Sequence, residues 1–372
     1  MKNTLLVLVF VCLSTMLLAN DLDDTMRDLS EDAGSQYVKP IVNAFGADFN
    51  TGWFTRAPSS RVLGLDISFK LVLMGAMFDD SDDHFSTTGT FRFNEAQADY
   101  ILDNAIDWSQ YPAAAQAELR SGLKDQLLSQ DIEVGIFGPT IVGPDDENIY
   151  LQLGAQQFTV SAGTESYSIQ VDETNIDTGV TSLLNDVPLL PLYTPQFTIG
   201  TLQGTNLTVR FIPPYDIEDL GKFSYWGVGV QHNPVVWLSS LVDFLIPVDL
   251  CLSASAQQME VGSIMTASSW NFGLNVSKNL GTNTFFIAPY AGVMLEGAKI
   301  EFDYDFEYSI PVEGTDDYTQ TVENVNFELE SENSARLILG ATLRLGVVNF
   351  NADYNISTVN TFGCGLGLGF TF

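Results

Sequence analysis

The final segment, Thr361 to Phe372, limits what this chain can fold into more than any other stretch. Its even positions are Phe362, Cys364, Leu366, Leu368, Phe370 and Phe372, and its odd positions are Thr361, Gly363, Gly365, Gly367, Gly369 and Thr371. Successive side chains of a strand point to opposite faces, so one face here is apolar and the other nearly bare. A soluble sheet has little use for an unbroken glycine face. A strand standing between lipid and a lumen accepts both faces.

The same alternation recurs upstream. Leu63, Leu65, Ile67, Phe69, Leu71 and Leu73 share one face, opposite Gly64, Asp66, Ser68 and Lys70. Leu337, Leu339, Ala341, Leu343, Leu345 and Val347 alternate with Arg336, Gly340, Thr342, Arg344 and Gly346. Weaker versions lie at Phe45 to Trp53, Tyr150 to Val160, Phe197 to Phe211, Trp226 to Val230, Val248 to Val261, Phe272 to Ser277 and Phe285 to Leu295. Divided at plausible turns, these segments predict an all-β, transmembrane antiparallel β-barrel of about fourteen strands, twelve being the lower count. The terminal aromatics Phe370 and Phe372 resemble the C-terminal signal read by the barrel-assembly machinery. Aromatics near strand ends, among them Trp53, Tyr225, Trp226, Trp270 and Tyr290, fit interfacial girdles.

Composition agrees. Apolar residues make up 45% and charged residues 17%, yet no apolar run in the body of the chain is long enough for a spanning helix. The apolar content is therefore dispersed through strands. Asp plus Glu number 47 against 15 Lys plus Arg, a net charge of −32 that repels nucleic acid and places the acids in solvated loops.

The N-terminus reads as a signal peptide over residues 1–19: Lys2, an apolar run from Leu5 to Leu18, then Ala19 before an acidic start. Export to the bacterial outer membrane follows from it. Residues 20–43 carry Leu22, Met26 and Leu29 at helical spacing and predict a short N-terminal helical plug, leaving 44–372 for the barrel. A helical inter-strand insertion is expected over 79–130, where Leu119, Leu123 and Leu127 recur four apart, and an acidic loop over 301–332. Val235 to Leu245, an apolar piece ended by Pro247, reads as interfacial. By parity Cys251 faces the lumen and Cys364 the lipid, which excludes a bridge between them.

The chain offers little catalytic chemistry. Only His84 and His232 are present; the first sits in an acidic loop and the second in a strand-ending turn, so no catalytic residues are assigned. No His/Cys spacing suits zinc and no glycine-rich phosphate loop opens a helix, so no metal and no cofactor are expected. Glu301, Asp303, Asp305 and Glu307 share a strand face, but alternate carboxylates there stand roughly 6.6–7 Å apart along a flat edge, which suits a solvated hairpin better than a calcium cage. The lumen-parity charges Asp66, Lys70, Arg210, Glu296, Arg336 and Arg344 are the candidate site: they either contact a substrate or pair to hold a plug.

Tyr37-Val38-Lys39-Pro40 with Asn50-Thr51-Gly52-Trp53-Phe54, Pro195 to Gly200 through Arg210-Phe211, Gly227 to His232, and Ser277-Lys278 through Pro289 to Gly292 resemble an uncharacterised family of bacterial outer-membrane β-barrel proteins, itself distantly similar to the long-chain fatty-acid transporters. The likeness implies a fourteen-stranded barrel with an N-terminal plug, though the transporters' Asn-Pro-Ala plug motif has no obvious copy here. It yields two functional expectations. The first is passive passage of small hydrophobic molecules, with outer-membrane lipid and a hydrophobic small-molecule ligand as partners. The alternative is a non-transporting surface or assembly protein whose barrel is only an anchor.

Overall fold

A computed structural model describes residues 31–371 apart from 59–63, 183, 185–186, 218–220, 238–247, 264, 283 and 312–317. The expected signal peptide, Phe372 and most of Val235 to Leu245 lie outside the described residues. The chain divides into two compact units. One comprises Ile41–Phe78 and Pro188–Phe372; the other comprises Asp79–Val187 with the described part of Leu18–Pro40.

The first unit is a closed antiparallel barrel. Its strands are β1 (Asp66–Met77), β8 (Leu189–Leu202), β9 (Thr205–Ile217), β10 (Gly221–His232), β11 (Asp249–Val261), β12 (Met265–Ser277), β14 (Phe285–Pro311), β16 (Ala335–Leu345), β17 (Val348–Ile356) and β18 (Thr361–Thr371), each bonded to the next. The ring closes where β1 meets β18, with Phe69 opposite Leu368 and Lys70 opposite Gly367. Among the described residues the sheet thus has ten barrel strands and two further pieces, β13 (Leu280–Gly281) and β15 (Tyr318–Glu330), which pair with β14.

The sheet has twelve strands in all, the lower of the two expected counts, but ten close the ring, and the expected fourteen are not found among the described residues. Phe45 to Trp53, which reads as a strand, is the end of helix α1 (Glu31–Phe49) and the turn that follows it. Tyr150 to Val160 is real strand but belongs to the second unit, where its pieces are too short to span a membrane. The acidic segment is the extension of the 27-residue β14 paired with β15, from Lys299 opposite Glu330 to Pro311 opposite Tyr318. Period two cannot tell a spanning strand from a shorter one elsewhere.

Outward positions of the barrel are apolar on every strand: Phe69, Leu71 and Leu73 on β1, Phe211 on β9, Trp226, Val228 and Val230 on β10, Phe272 and Leu274 on β12, Leu366 and Leu368 on β18 are all exposed. Most inward positions are small or polar, including Ser253, Ser255, Gln257, Asn271, Asn275 and Asn351, all buried. The barrel is inverted relative to a soluble globule, whose buried positions are the apolar ones. Cys251 and Cys364 are both free thiols. Among the described residues no helix is long and apolar enough to cross a membrane.

The second unit has a conventional core. The order β2 (His84–Phe91), β3 (Ile132–Pro139), β4 (Tyr150–Leu153), β7 (Thr174–Asp177) makes one sheet, and β5 (Gln156–Ala162) with β6 (Glu165–Val171) makes a hairpin. Helices α2 (Glu95–Asn104) and α3 (Gln116–Ser129) occupy the region read as helical. Helix α2 opens on a capping box: the Asn94 side chain accepts from the Gln97 amide at 2.9 Å and the Gln97 side chain accepts from the Asn94 amide at 3.0 Å. Leu119, Leu123 and Leu127 are completely buried, as their four-residue spacing requires. The insertion between β1 and β8 therefore runs to Val187, well past the expected boundary at residue 130.

The closing seam has a direct test. In the register described, Phe69→Cys with Leu368→Cys brings two Cα partners together, and oxidation is expected to cross-link them; the offset pair Phe69→Cys with Leu366→Cys is displaced by two residues and is expected to stay reduced. Gel mobility before and after reduction reads the result.

Candidate functional site

The site is the lumen of the barrel, and what fills it is the chain itself. Residues 41–58, the second half of α1 and an irregular stretch after it, run down the inside of the ring. At one end the Asn43 amide nitrogen donates to Glu332 Oε2 (3.3 Å) and its oxygen accepts from the Glu332 amide (2.9 Å). Gly46 passes so close that a Cβ there would sit 2.6 Å from Ser331 Cβ. At the other end the Ala57 amide donates to Ser277 Oγ (3.0 Å) and Asn233 Nδ2 donates to the Pro58 carbonyl (2.8 Å).

Between these ends two arginines hold the helix terminus. A helix leaves its last carbonyls without partners and carries partial negative charge there. Arg336 Nη2 donates to the Ala47 carbonyl (2.7 Å) and Arg336 Nη1 to Thr51 Oγ1 (2.7 Å). Arg210 donates from Nη1 to the Phe49 carbonyl (3.3 Å) and from Nη2 to the Thr51 carbonyl (2.8 Å). Gln257 Nε2 and Trp53 Nε1 (3.0 Å) also donate to the Phe49 carbonyl. Arg210, wholly buried, lies over the Trp53 ring at 4.1 Å from its centroid. The chain turns at Gly52, whose φ of +73° and whose 2.7 Å approach of a built Cβ to Val72 Cγ1 both demand glycine.

Below the turn the contacts continue. Gln231 Nε2 donates to the Trp53 carbonyl (2.7 Å), Thr342 Oγ1 to the Thr55 carbonyl (2.6 Å), and Trp53 packs over Gly227 and Gly229 of β10. Phe54, Ala57, Cys251, Tyr290, Met294 and Ile338 form an apolar cluster inside the ring. Phe54 meets Tyr290 edge-on, with centroids 5.5 Å apart.

The sequence-derived charges divide into two groups. Arg210, Arg336 and Glu296 surround the helix end; Glu296 takes Arg336 in a fork, Nε to Oε2 at 2.5 Å and Nη2 to Oε1 at 2.9 Å, with both side chains fully buried. Asp66, Lys70 and Arg344 instead surround a cavity of about 100 Å³ at the end where β1 begins and β18 finishes, lined also by Trp53, Arg56 and Phe286. Asp66 pairs with Arg56 (3.6 Å), Lys70 Nζ reaches Thr55 Oγ1 (3.4 Å), and Arg344 donates to the Gly346 carbonyl (3.0 Å), Thr371 Oγ1 (2.8 Å) and the Gly369 carbonyl (2.7 Å). Phe370 points outward and is exposed. The arginines thus grip backbone carbonyls, where charge bookkeeping alone would look for carboxylates on the plug. Gln231, Gln257, Asn233 and Thr342 were not singled out in sequence; their lumen parity was visible, but neutral side chains carry no mark of having a partner.

Of the two histidines, His232 has both ring nitrogens engaged. Trp237 Nε1 donates to Nε2 (2.9 Å), so Nδ1 carries the proton and donates to Thr205 Oγ1 (3.0 Å). His84 faces Glu147 at 2.9 Å in an exposed pair of the second unit. Among the described residues no group of three metal-ligating side chains forms.

Two substitutions test the grip. Arg336→Met leaves Glu296 charged and unpaired in the interior and is expected to cost about 3–5 kcal/mol, most of which Arg336→Met with Glu296→Leu recovers. Gly52→Ala is expected to cost about 1–3 kcal/mol through its backbone and its contact with Val72. Urea unfolding of the lipid-reconstituted protein measures both.

No curated protein matches the chain. Among solved structures it is similar to the β domain of the Bordetella autotransporter BrkA, at 10% identity and a TM-score of 0.20 over 82% of this chain and 99% of that one. It is similar also to a loop-deletion variant of OmpT, an outer membrane protein of Vibrio cholerae, at 9% identity and a TM-score of 0.22 over 82% and 99%. At these values the architecture rests on the strand pairing and not on the likenesses. The family of unknown function DUF6588 matches residues 1–370, and the chain belongs to that family.

Proposed function

We propose that this chain is a bacterial outer-membrane barrel, shut by its own residues 41–58, that anchors the unit inserted between β1 and β8. The observation that carries the reading is the filled lumen. The cavity described at the β18 end measures about 100 Å³, against the roughly 300–1,000 Å³ of sites that hold a drug-sized ligand. The polar contacts along 41–58 are made to backbone carbonyls at successive levels of the ring, which suits a fixed stopper better than a sliding one.

The apolar belt supports the membrane half of the proposal. Large side chains exposed on every barrel strand would aggregate in water and are at home in lipid. The end bearing the long insertion faces outward and the end where β18 finishes faces the periplasm, following the usual asymmetry of loop lengths in outer-membrane barrels. The barrel-assembly machinery is the expected partner of the alternating β18. No reaction is assigned to the chain. Passive passage of hydrophobic molecules, and the kinship with fatty-acid transporters that motivated it, requires residues 41–58 to leave the ring.

Planar-bilayer recording decides between the readings. The intact protein is expected to hold current at the baseline of bare lipid. Arg210→Met with Arg336→Met and Glu296→Leu, which removes both arginine grips on the helix end without leaving a buried charge unpaired, is expected to produce frequent openings. Steady ion conductance, or saturable uptake of an amphiphile, by the intact protein would falsify the anchor reading.

A further inference from the structure

We propose that the cavity at the β18 end of the lumen is a binding site for a small oxyanion, a phosphate or a short carboxylate. Four charged residues line it, the cations Arg56, Lys70 and Arg344 and the single acid Asp66. Arg56 and Asp66 pair with each other. That leaves Lys70 and Arg344, both buried, with no carboxylate paired to either among the described residues. Buried charges are ordinarily matched by a partner of opposite sign, so two unmatched cations around one cavity define the sign of the missing partner.

The fields from neighbouring elements do not remove the excess. Asp353 of β17 attracts Lys70, but less strongly than Arg210 repels it, and its carboxylate makes no ion pair with Lys70, accepting instead from Tyr290 Oη (2.9 Å) and Asn355 Nδ2 (2.7 Å). Asp249 of β11 acts on Arg56, adding to the neutralisation of that residue rather than of Lys70 or Arg344. An excess of positive charge here is out of keeping with a chain of net charge −32 and only 15 Lys plus Arg.

The donors are also unsatisfied. The Asn351 side chain lines the cavity and is buried, and its Nδ2 has no hydrogen-bond partner among the described residues. The Lys70 ammonium, with three donors, makes one long bond, and the Arg344 guanidinium, with five, makes three, all to neutral oxygens. The cavity is small, about 100 Å³, which suits a tetrahedral oxyanion or a short acid. Asp66 meets Arg56 through Oδ2, while its Oδ1, without a hydrogen-bond partner among the described residues, gives the cavity one acceptor for a protonated oxygen of the ligand.

Isothermal titration of the full chain in detergent with inorganic phosphate, and separately with acetate, tests the site. Saturable binding of either is expected, weakened about tenfold or more by Lys70→Gln and by Arg344→Gln, and restored by Lys70→Arg. Barrel content of each variant is checked by circular dichroism. Binding of phosphate alone assigns the site to phosphate, and binding of both to oxyanions at large. Absence of saturable binding by the folded wild-type protein, or binding indifferent to both substitutions, overturns the proposal. The outcome is separable from the anchor reading: a conducting barrel that binds phosphate overturns closure and keeps the site, while a shut barrel that binds neither anion does the reverse.

Discussion

A ring of ten strands leaves no edge to pair, and it also leaves a lumen that strand side chains alone do not fill. Eight strands enclose an interior just wide enough for their own side chains, and sixteen or more enclose an aqueous channel. Ten fall between, with room for one segment of chain. Here that room is taken by residues 41–58, so the number of strands and the presence of the plug are one fact seen twice. Whatever enters a lumen walled by Ser, Asn, Gln and Arg must bring polar groups of its own, and a helix terminus supplies free carbonyls without any requirement on side-chain sequence. Arg210 and Arg336 meet those carbonyls, and Glu296 keeps Arg336 paired where no water reaches it.

The two units follow opposite rules for placing apolar residues. In the barrel the apolar side chains face out and the polar ones are interior, whereas in the inserted unit Leu119, Leu123 and Leu127 are interior in the ordinary way. Each rule is consistent within its own span. The boundary after Phe78 is accordingly a change of solvent as well as of fold in the proposed reading.

The alternation that identified the barrel was plain in β1, β16 and β18 because their outward positions are apolar throughout, as the proposed lipid setting requires. The strand number was not legible. Phe45 to Trp53 alternates by coincidence: Phe45 and Phe49 lie on adjacent turns of α1 with ring centroids 6.0 Å apart, a helical relation that also satisfies period two. The charged lumen set was found because cations are scarce and parity is strict. Its partners were hidden, since Arg210 and Arg336 bind main-chain oxygens, which every residue possesses and no sequence advertises. The polar segment from Asn50 to Arg56 looks like part of a strand until the ring around it is known.

The glycine face of β18 bears on how the ring is assembled. Because residues 41–58 have the rest of the chain at both ends, fastening the hoop around them is the route that avoids threading chain through a finished ring. The clasp is the join between the first barrel strand and the last. On the inner side of that last strand stand Gly363, Gly365, Gly367 and Gly369, and a Cβ at the first of these would already lie 3.0 Å from Thr51 Cγ2. A smooth inner surface lets the final strand swing shut past material already laid inside. The bare face that marks the end of the sequence is in this sense the hinge-side clearance of a clasp, made of the one residue that occupies no space beyond the backbone.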